Sequence, residues 1–151
     1  MPLDPEDFSP RTFLRDAVAF SQAASILDGR NPYGPLTNRP LLNCCCVAVE
    51  LALKGHYFHY RFDPEHMKKR AHRVKRIYDD LKENGRDPPL SPEEIEFIDF
   101  VDKINVAQGS RYATLTTRYH ASSAAERTRG IVSACLNNLP DAQELRKNLQ
   151  R

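Results

Sequence analysis

One segment, PLLNCCCVAVELALKGHYF at residues 40–58, constrains the fold of this chain more than any other. Placed on a helix, it is apolar on almost every side, and its polar residues Asn43, Glu50 and Lys54 fall on one narrow line. A helix with so little polar surface is normally buried at the centre of a domain. The pattern therefore predicts a core helix over Pro40–His59, whose polar line is either its water-facing edge or the wall of a polar site.

Helix-start signals recur along the rest of the chain. Proline follows a capping residue at Ser9-Pro10 and Asp63-Pro64, and capping boxes, in which serine precedes glutamate by three residues, begin at Ser91 and Ser123. No alternating apolar run is long enough to predict a sheet. We therefore expect an all-α fold, a four- to five-helix up-and-down bundle in one domain, with its core at about residues 10–138. The predicted helices run over residues 10–29, 40–59, 64–84, 92–108 and 124–136, with loops at 30–38 and 110–123 and a short helix or frayed tail after 140.

Composition bounds the class of protein. A chain of 151 residues with 28% charged residues and a formal net charge of +2 suits one folded domain, and its charge alone does not indicate nucleic acid. The acidic start lacks the apolar stretch of a signal peptide, and the apolar runs around Glu50 are shorter than the ~20 residues of a membrane span. Cysteines 44–46 point in three directions, which favours reduced, buried thiols over a zinc cluster or disulfides. We expect a cytoplasmic protein without a metal site, a cofactor or membrane contact.

Basic residues are concentrated in the first half of the predicted third helix. Such a run is typical either of a solvated helix face or of a surface that contacts phosphate. The phosphate-contact candidates are Lys68, Lys69, Arg70, Arg73, Lys75 and Arg76.

Four further stretches carry a family resemblance. They are FSQAASIL at 20–27, AVELALKG at 48–55, AHRVKRIYDDL at 71–81 and INVAQGSRYA at 104–113. In this order, over about residues 10–136, the chain resembles the HEPN (higher eukaryotes and prokaryotes nucleotide-binding) superfamily. The resemblance implies a dimeric helical bundle in a prokaryotic defence or stress setting, with RNA, a nucleotide or a partner protein such as a nucleotidyltransferase as its ligand. Many members are metal-independent endoribonucleases, and others bind nucleotides or have no known activity.

The chain departs from the catalytic pattern of that superfamily, an arginine followed by a histidine four to six residues later. Arg111 precedes His120 by nine residues, and Arg118 precedes it by two. Arg61 and His66 have the required spacing but span a predicted proline turn in the wrong part of the chain. We therefore predict that the protein does not cleave RNA by the usual route of the family.

A polar constellation remains as the candidate site: Glu50 and Lys54 from the core helix, His72 from the third helix, and Arg111 and Tyr112 after the fourth. It has three interpretations. It is a packing network in which Glu50 pairs with Arg111 and His72, a site for phosphate, nucleotide or RNA, or a catalytic set. In the catalytic set His72 is the base and Arg111 stabilises the charge that develops on the phosphate.

The functional expectation is a binding module, non-catalytic or weakly active, for RNA, nucleotide or protein. The alternatives are a metal-independent endoribonuclease, with His72, Arg111 and His120 as its catalytic candidates, and a structural or antitoxin-like interaction protein. Aromatic residues at 57, 58 and 60 predict a homodimer interface at the end of the core helix.

Overall fold

The computed structural model contains seven α-helices and no strand in the part of the chain that it describes. That part covers residues 9–29, 35–60, 63–70, 72–106, 121–136 and 142–149, with the backbone alone at 29, 35–39, 121 and 122. The all-α prediction is confirmed, with seven described helices rather than four or five. They are α1 Pro10–Gly29, α2 Pro35–His59, α3 Pro64–Arg70, α4 Val74–Glu83, α5 Pro92–Val106, α6 Ala121–Cys135 and α7 Ala142–Leu149.

Helix α2 lies at the centre of the molecule, in contact with α1, α4, α5 and α6. Its apolar positions are buried on several sides, whereas Asn43 is exposed and Glu50 and Lys54 are partly exposed. The predicted core helix is therefore confirmed, and its polar line is the edge that water reaches. One continuous buried cluster joins α2 to all the other described helices.

The start of α2 differs from the prediction. The helix begins at Pro35, so that residues 35–38 are helical rather than loop, and Pro40 lies inside it. Proline lacks the N–H that would bond to the carbonyl of Leu36, but its fixed φ is also a helical value. The helix therefore loses one hydrogen bond at Pro40 and continues.

The predicted third helix is two helices. Helix α3 ends at Arg70, and α4 begins after Arg73, whose φ of −84° and ψ of 79° are not helical. The end predicted for α4 is confirmed. Gly85 has a φ of +66°, and Arg86 N donates to Leu81 O at 2.8 Å in the wrap that closes many helices.

Most predicted helix caps are present. Ser91 N donates to Glu94 Oε1 at 2.8 Å, and Glu94 N donates to Ser91 Oγ at 3.2 Å, which completes a capping box. The predicted serine and aspartate caps of α1 and α3 each accept a backbone N–H, at 3.1 and 2.9 Å. The box predicted at Ser123 is wrong, because α6 begins at Ala121 and Ser123 lies in its first turn.

The aromatic residues at the end of α2 do not form the exposed patch that was expected at a dimer interface. Tyr57 is buried, and Phe58 stacks on Phe13 with ring centroids 5.5 Å apart. The ring of Tyr60 lies 5.1 Å from the Arg86 guanidinium carbon. These rings are occupied by contacts within the chain.

Averaged over its length, the segment Pro40–His59 has the length and composition of a membrane-crossing helix. Counting uninterrupted apolar runs had predicted no such segment. In the molecule, 61% of its most apolar 18-residue stretch is buried. Its neighbours are other helices of the same chain, as they are for a core helix.

Candidate functional site at the corner between α3 and α4

The break between α3 and α4 places His72 and Arg73 outside any helix. Arg73 N donates to Arg70 O at 2.8 Å, and Val74 N donates to His72 O at 3.1 Å, which makes a tight turn. The turn directs the two side chains to different helices, since His72 contacts α2 and Arg73 contacts α5. We call residues 68–76 the α3–α4 corner.

Glu50 of α2 is the centre of a polar network. Its Oε1 accepts hydrogen bonds from Lys54 Nζ and from His72 Nδ1, each at 2.7 Å. The Glu50 side chain is only 14% exposed, whereas that of His72 is 60% exposed. Asn105, near the end of α5, donates from Nδ2 to His72 O at 2.9 Å. The imidazole is thus held from one side by a largely buried carboxylate and faces water on the other.

Arg73 and Asp102 form a second pair that fastens the corner to α5. Arg73 Nε lies 3.1 and 3.2 Å from the two carboxylate oxygens, and Nη2 donates to Oδ2 at 3.0 Å. The hydrogen bond to Asp102 raises the pKa of the Arg73 guanidinium. Asp102, which is buried, also accepts the Lys75 N–H at 3.3 Å. Because no side chain at the start of α4 caps that helix, Asp102 supplies a cap from α5.

Three of the other basic residues of the corner form ion pairs with acidic residues. Arg70 pairs with Asp80, and Lys75 lies 2.9 Å from Asp79, and in each case this hydrogen bond raises the pKa of the basic side chain. Lys68 makes a pair with Glu65 at 3.6 Å, in which both side chains are exposed. Exposed pairs of this kind contribute little to stability.

Lys69 and Arg76 form no ion pair with a described residue, and both are exposed. They lie three residues before and four residues after His72. The available positive charge of the corner is therefore smaller than its composition suggests.

Of the predicted constellation, the structure brings together Glu50, Lys54 and His72. Arg111 and Tyr112 lie outside the described residues, as does His120. The pair between Glu50 and Arg111, and any catalytic role of Arg111, stay predictions.

Two residues of the site were missed by sequence reasoning. Asp102 and Asn105 follow Ile98 and Val101 at helical spacing, on the face of α5 that contributes to the core. A carboxylate on an apolar stripe needs a partner when it is buried. That position was the available signal for Asp102, although it does not identify Arg73 as the partner.

Titratable groups are also buried away from the corner. The ring of His56 is buried, which lowers its pKa, and its Nε2 lies 2.7 Å from Arg86 O. Burial raises the pKa of the Cys45 and Cys46 thiols to about 12, and both are free. Within the described ranges, no group of three or more histidine, cysteine or acidic side chains is arranged to hold a metal ion.

Comparison of the chain with family models, with curated proteins and with solved structures gives no match.

Proposed function

We propose that this chain is a HEPN-like helical module that binds the phosphates of RNA or a nucleotide at the α3–α4 corner. One observation carries the proposal: the corner contains an exposed imidazole that Glu50 orients, and the exposed Lys69 and Arg76, three residues before and four residues after it in the sequence, form no ion pair with a described residue. Lysine and arginine are the usual phosphate contacts, and the bond from His72 Nδ1 leaves Nε2 for a ligand.

The test is RNA binding by fluorescence anisotropy over a series of salt concentrations. We expect log K of the parent to fall with log salt by roughly 0.7 for each phosphate contacted on a single strand. The double variant Lys69→Glu/Arg76→Glu should bind RNA more weakly and with a flatter salt dependence. Both side chains are exposed and form no ion pair with a described residue, so the variant should fold normally.

The matched control is Arg15→Glu/Lys82→Glu, which makes the same change of charge at exposed positions on α1 and α4. If the control weakens binding as much as the corner variant, the effect is one of net charge and the proposal is wrong. Absence of RNA and nucleotide binding by the parent chain would also contradict it.

A second candidate, metal-independent RNA cleavage, is favoured by one specific observation. A carboxylate 2.7 Å from a histidine ring nitrogen, with the ring open to solvent, is the arrangement that orients a general base. Parent and His72→Ala protein are incubated with RNA in EDTA. Specific cleavage that is lost in a folded His72→Ala variant would replace the non-catalytic proposal.

The resemblance further supports a homodimer and a partner protein such as a nucleotidyltransferase. Sedimentation at micromolar concentration tests the first of these. A single species of 17.3 kDa would contradict self-association.

A further inference from the structure

A groove of about 610 Å³ lies between the start of α5, helix α6 and helix α7. It is a different region from the α3–α4 corner, because Ser91 in its lining and Asn105 beside His72 are at opposite ends of α5, roughly 20 Å apart. Its volume is within the range of small-molecule sites. We call it the arginine groove, because Arg127, Arg129 and Arg146 all line it.

Gly130 explains why α5 and α6 approach each other closely here. It lies in the middle of the face of α6 that lines the groove, and a Cβ at this position would overlap the Glu94 carboxylate. That carboxylate is itself held by the Ser91 N–H in the capping box. The Glu94 side of the groove is therefore fixed by a helix cap.

Two of the three arginines, Arg127 and Arg129, form no ion pair with a described residue. Arg127 Nε is buried and has no hydrogen-bond partner among the described residues. Arg129 is exposed and makes no ion pair with a described residue. Arg146 is directed toward α6 by a bond from Nη2 to Ser133 O at 3.3 Å. Guanidinium groups that form no ion pair with a described residue can bind an oxyanion, so this wall of the groove fits an oxyanion ligand.

The rest of the lining narrows the class of oxyanion. The carboxylates of Glu94 and Glu126 also line the groove, which leaves its formal charge at only one positive. Nucleic-acid grooves combine positive charge with aromatic rings on which bases stack, and no described aromatic residue lines this one. Carboxylates accept hydrogen bonds from hydroxyl groups.

From these contacts we infer that the arginine groove is a binding site for a small phosphorylated polyol such as a sugar phosphate. The phosphate is bound by Arg127 and Arg129, and the hydroxyl groups are bound by Glu94 and Glu126. This site is independent of the RNA or nucleotide binding proposed for the α3–α4 corner.

The experiment is calorimetric titration of the full chain with ribose 5-phosphate, beside inorganic phosphate and free ribose as separate probes. We expect saturable binding of ribose 5-phosphate and weaker binding of each part alone. Arg127→Gln and Arg129→Gln should each raise the Kd about tenfold or more, because each removes a charge-assisted bond. Arg15→Gln, an exposed arginine on α1, is the matched control and should leave the Kd unchanged.

Each outcome decides part of the proposal. No saturable binding of ribose 5-phosphate up to about 10 mM, where affinity falls below the millimolar range, overturns it. So does a loss in Arg15→Gln equal to that in the groove variants. If inorganic phosphate binds as tightly as ribose 5-phosphate, the groove does not recognise the polyol. If free ribose binds as tightly as ribose 5-phosphate, the groove does not recognise the phosphate. If Arg127→Gln does not fold, the Arg129→Gln variant, at an exposed position, decides the result. We expect Arg129→Gln to bind RNA as the parent chain does, because the corner is unchanged in it.

Discussion

The α3–α4 corner and the arginine groove are both rich in basic residues, but they use them in opposite ways. In the corner, Arg70, Arg73 and Lys75 are held by carboxylates of α4 and α5. In the groove, Arg127 and Arg129 form no ion pair with a described residue. The region with the denser run of basic residues thus has much of its charge neutralised, while the sparser region keeps unsatisfied donors. Pairing, rather than the number of basic residues, decides which surface offers positive charge to a ligand.

A substitution in the core gives the largest loss of stability that we expect, and it is the reference for the two surfaces. Leu53 is fully buried in α2, and Leu53→Ala should lower the free energy of unfolding by ~2–5 kcal/mol through lost apolar burial and the cavity left behind. A urea titration measures this. A loss below ~1 kcal/mol would place Leu53 outside the core and remove the reference for both surfaces.

Removing one charged residue from each region should affect stability differently. Asp102→Ala removes the acceptor that caps α4, and it should lower the free energy of unfolding by about 0.5–2 kcal/mol. Arg127→Ala, which removes a buried Nε–H without a partner among the described residues, should leave it unchanged or raise it. The same urea titration gives both values.

The control for Asp102 is Glu96→Ala, which removes an exposed carboxylate from the same helix. If Asp102→Ala costs no more than Glu96→Ala, the corner is not fastened by its carboxylates. A large loss in Arg127→Ala would instead make the groove arginine part of the fold, and the comparison would no longer hold.

The smallest effect concerns the connection between the two regions. Residues 84–91 join α4 to α5, and His56 bonds to Arg86 O in that stretch. Burial lowers the pKa of His56 in the folded chain, so the unfolded chain binds a proton more readily. The stabilisation is therefore complete above the usual value of about 6.5 and is lost as the pH falls below it.

One proton changes the free energy of unfolding by at most about 1.4 kcal/mol per pH unit, so the loss between pH 7 and pH 6 stays below about 0.7 kcal/mol. Stability curves of the parent and of His56→Gln, which keeps a donor but does not titrate, should converge as the pH falls from 7 to 5. Parallel curves would show that His56 does not link stability to pH.

The segment of α2 after Pro40 shows how much of the fold was predictable. Its all-round apolar surface predicted a buried central helix, because a helix without a polar face has nowhere else to be stable. The Ser91–Glu94 box predicted the start of α5, because those bonds join residues three apart. Pro40 misled the prediction of the start of α2, since the φ of proline suits both the first turn of a helix and its interior.

The site was predictable only in part. Glu50 and Lys54 are one helical turn apart, so their pairing follows from the sequence. Their contact with His72 depends on the break between α3 and α4. The apolar residues of the predicted third helix keep their helical spacing across this break, so the sequence did not indicate it. Local spacing therefore determined the all-α class, the caps at Ser9, Asp63 and Ser91, and the buried side of α2. Only the tertiary structure decided that His72 and Arg73 turn to different helices, and that Arg127 and Arg129 form no ion pair with a described residue, because each depends on residues far apart in the chain.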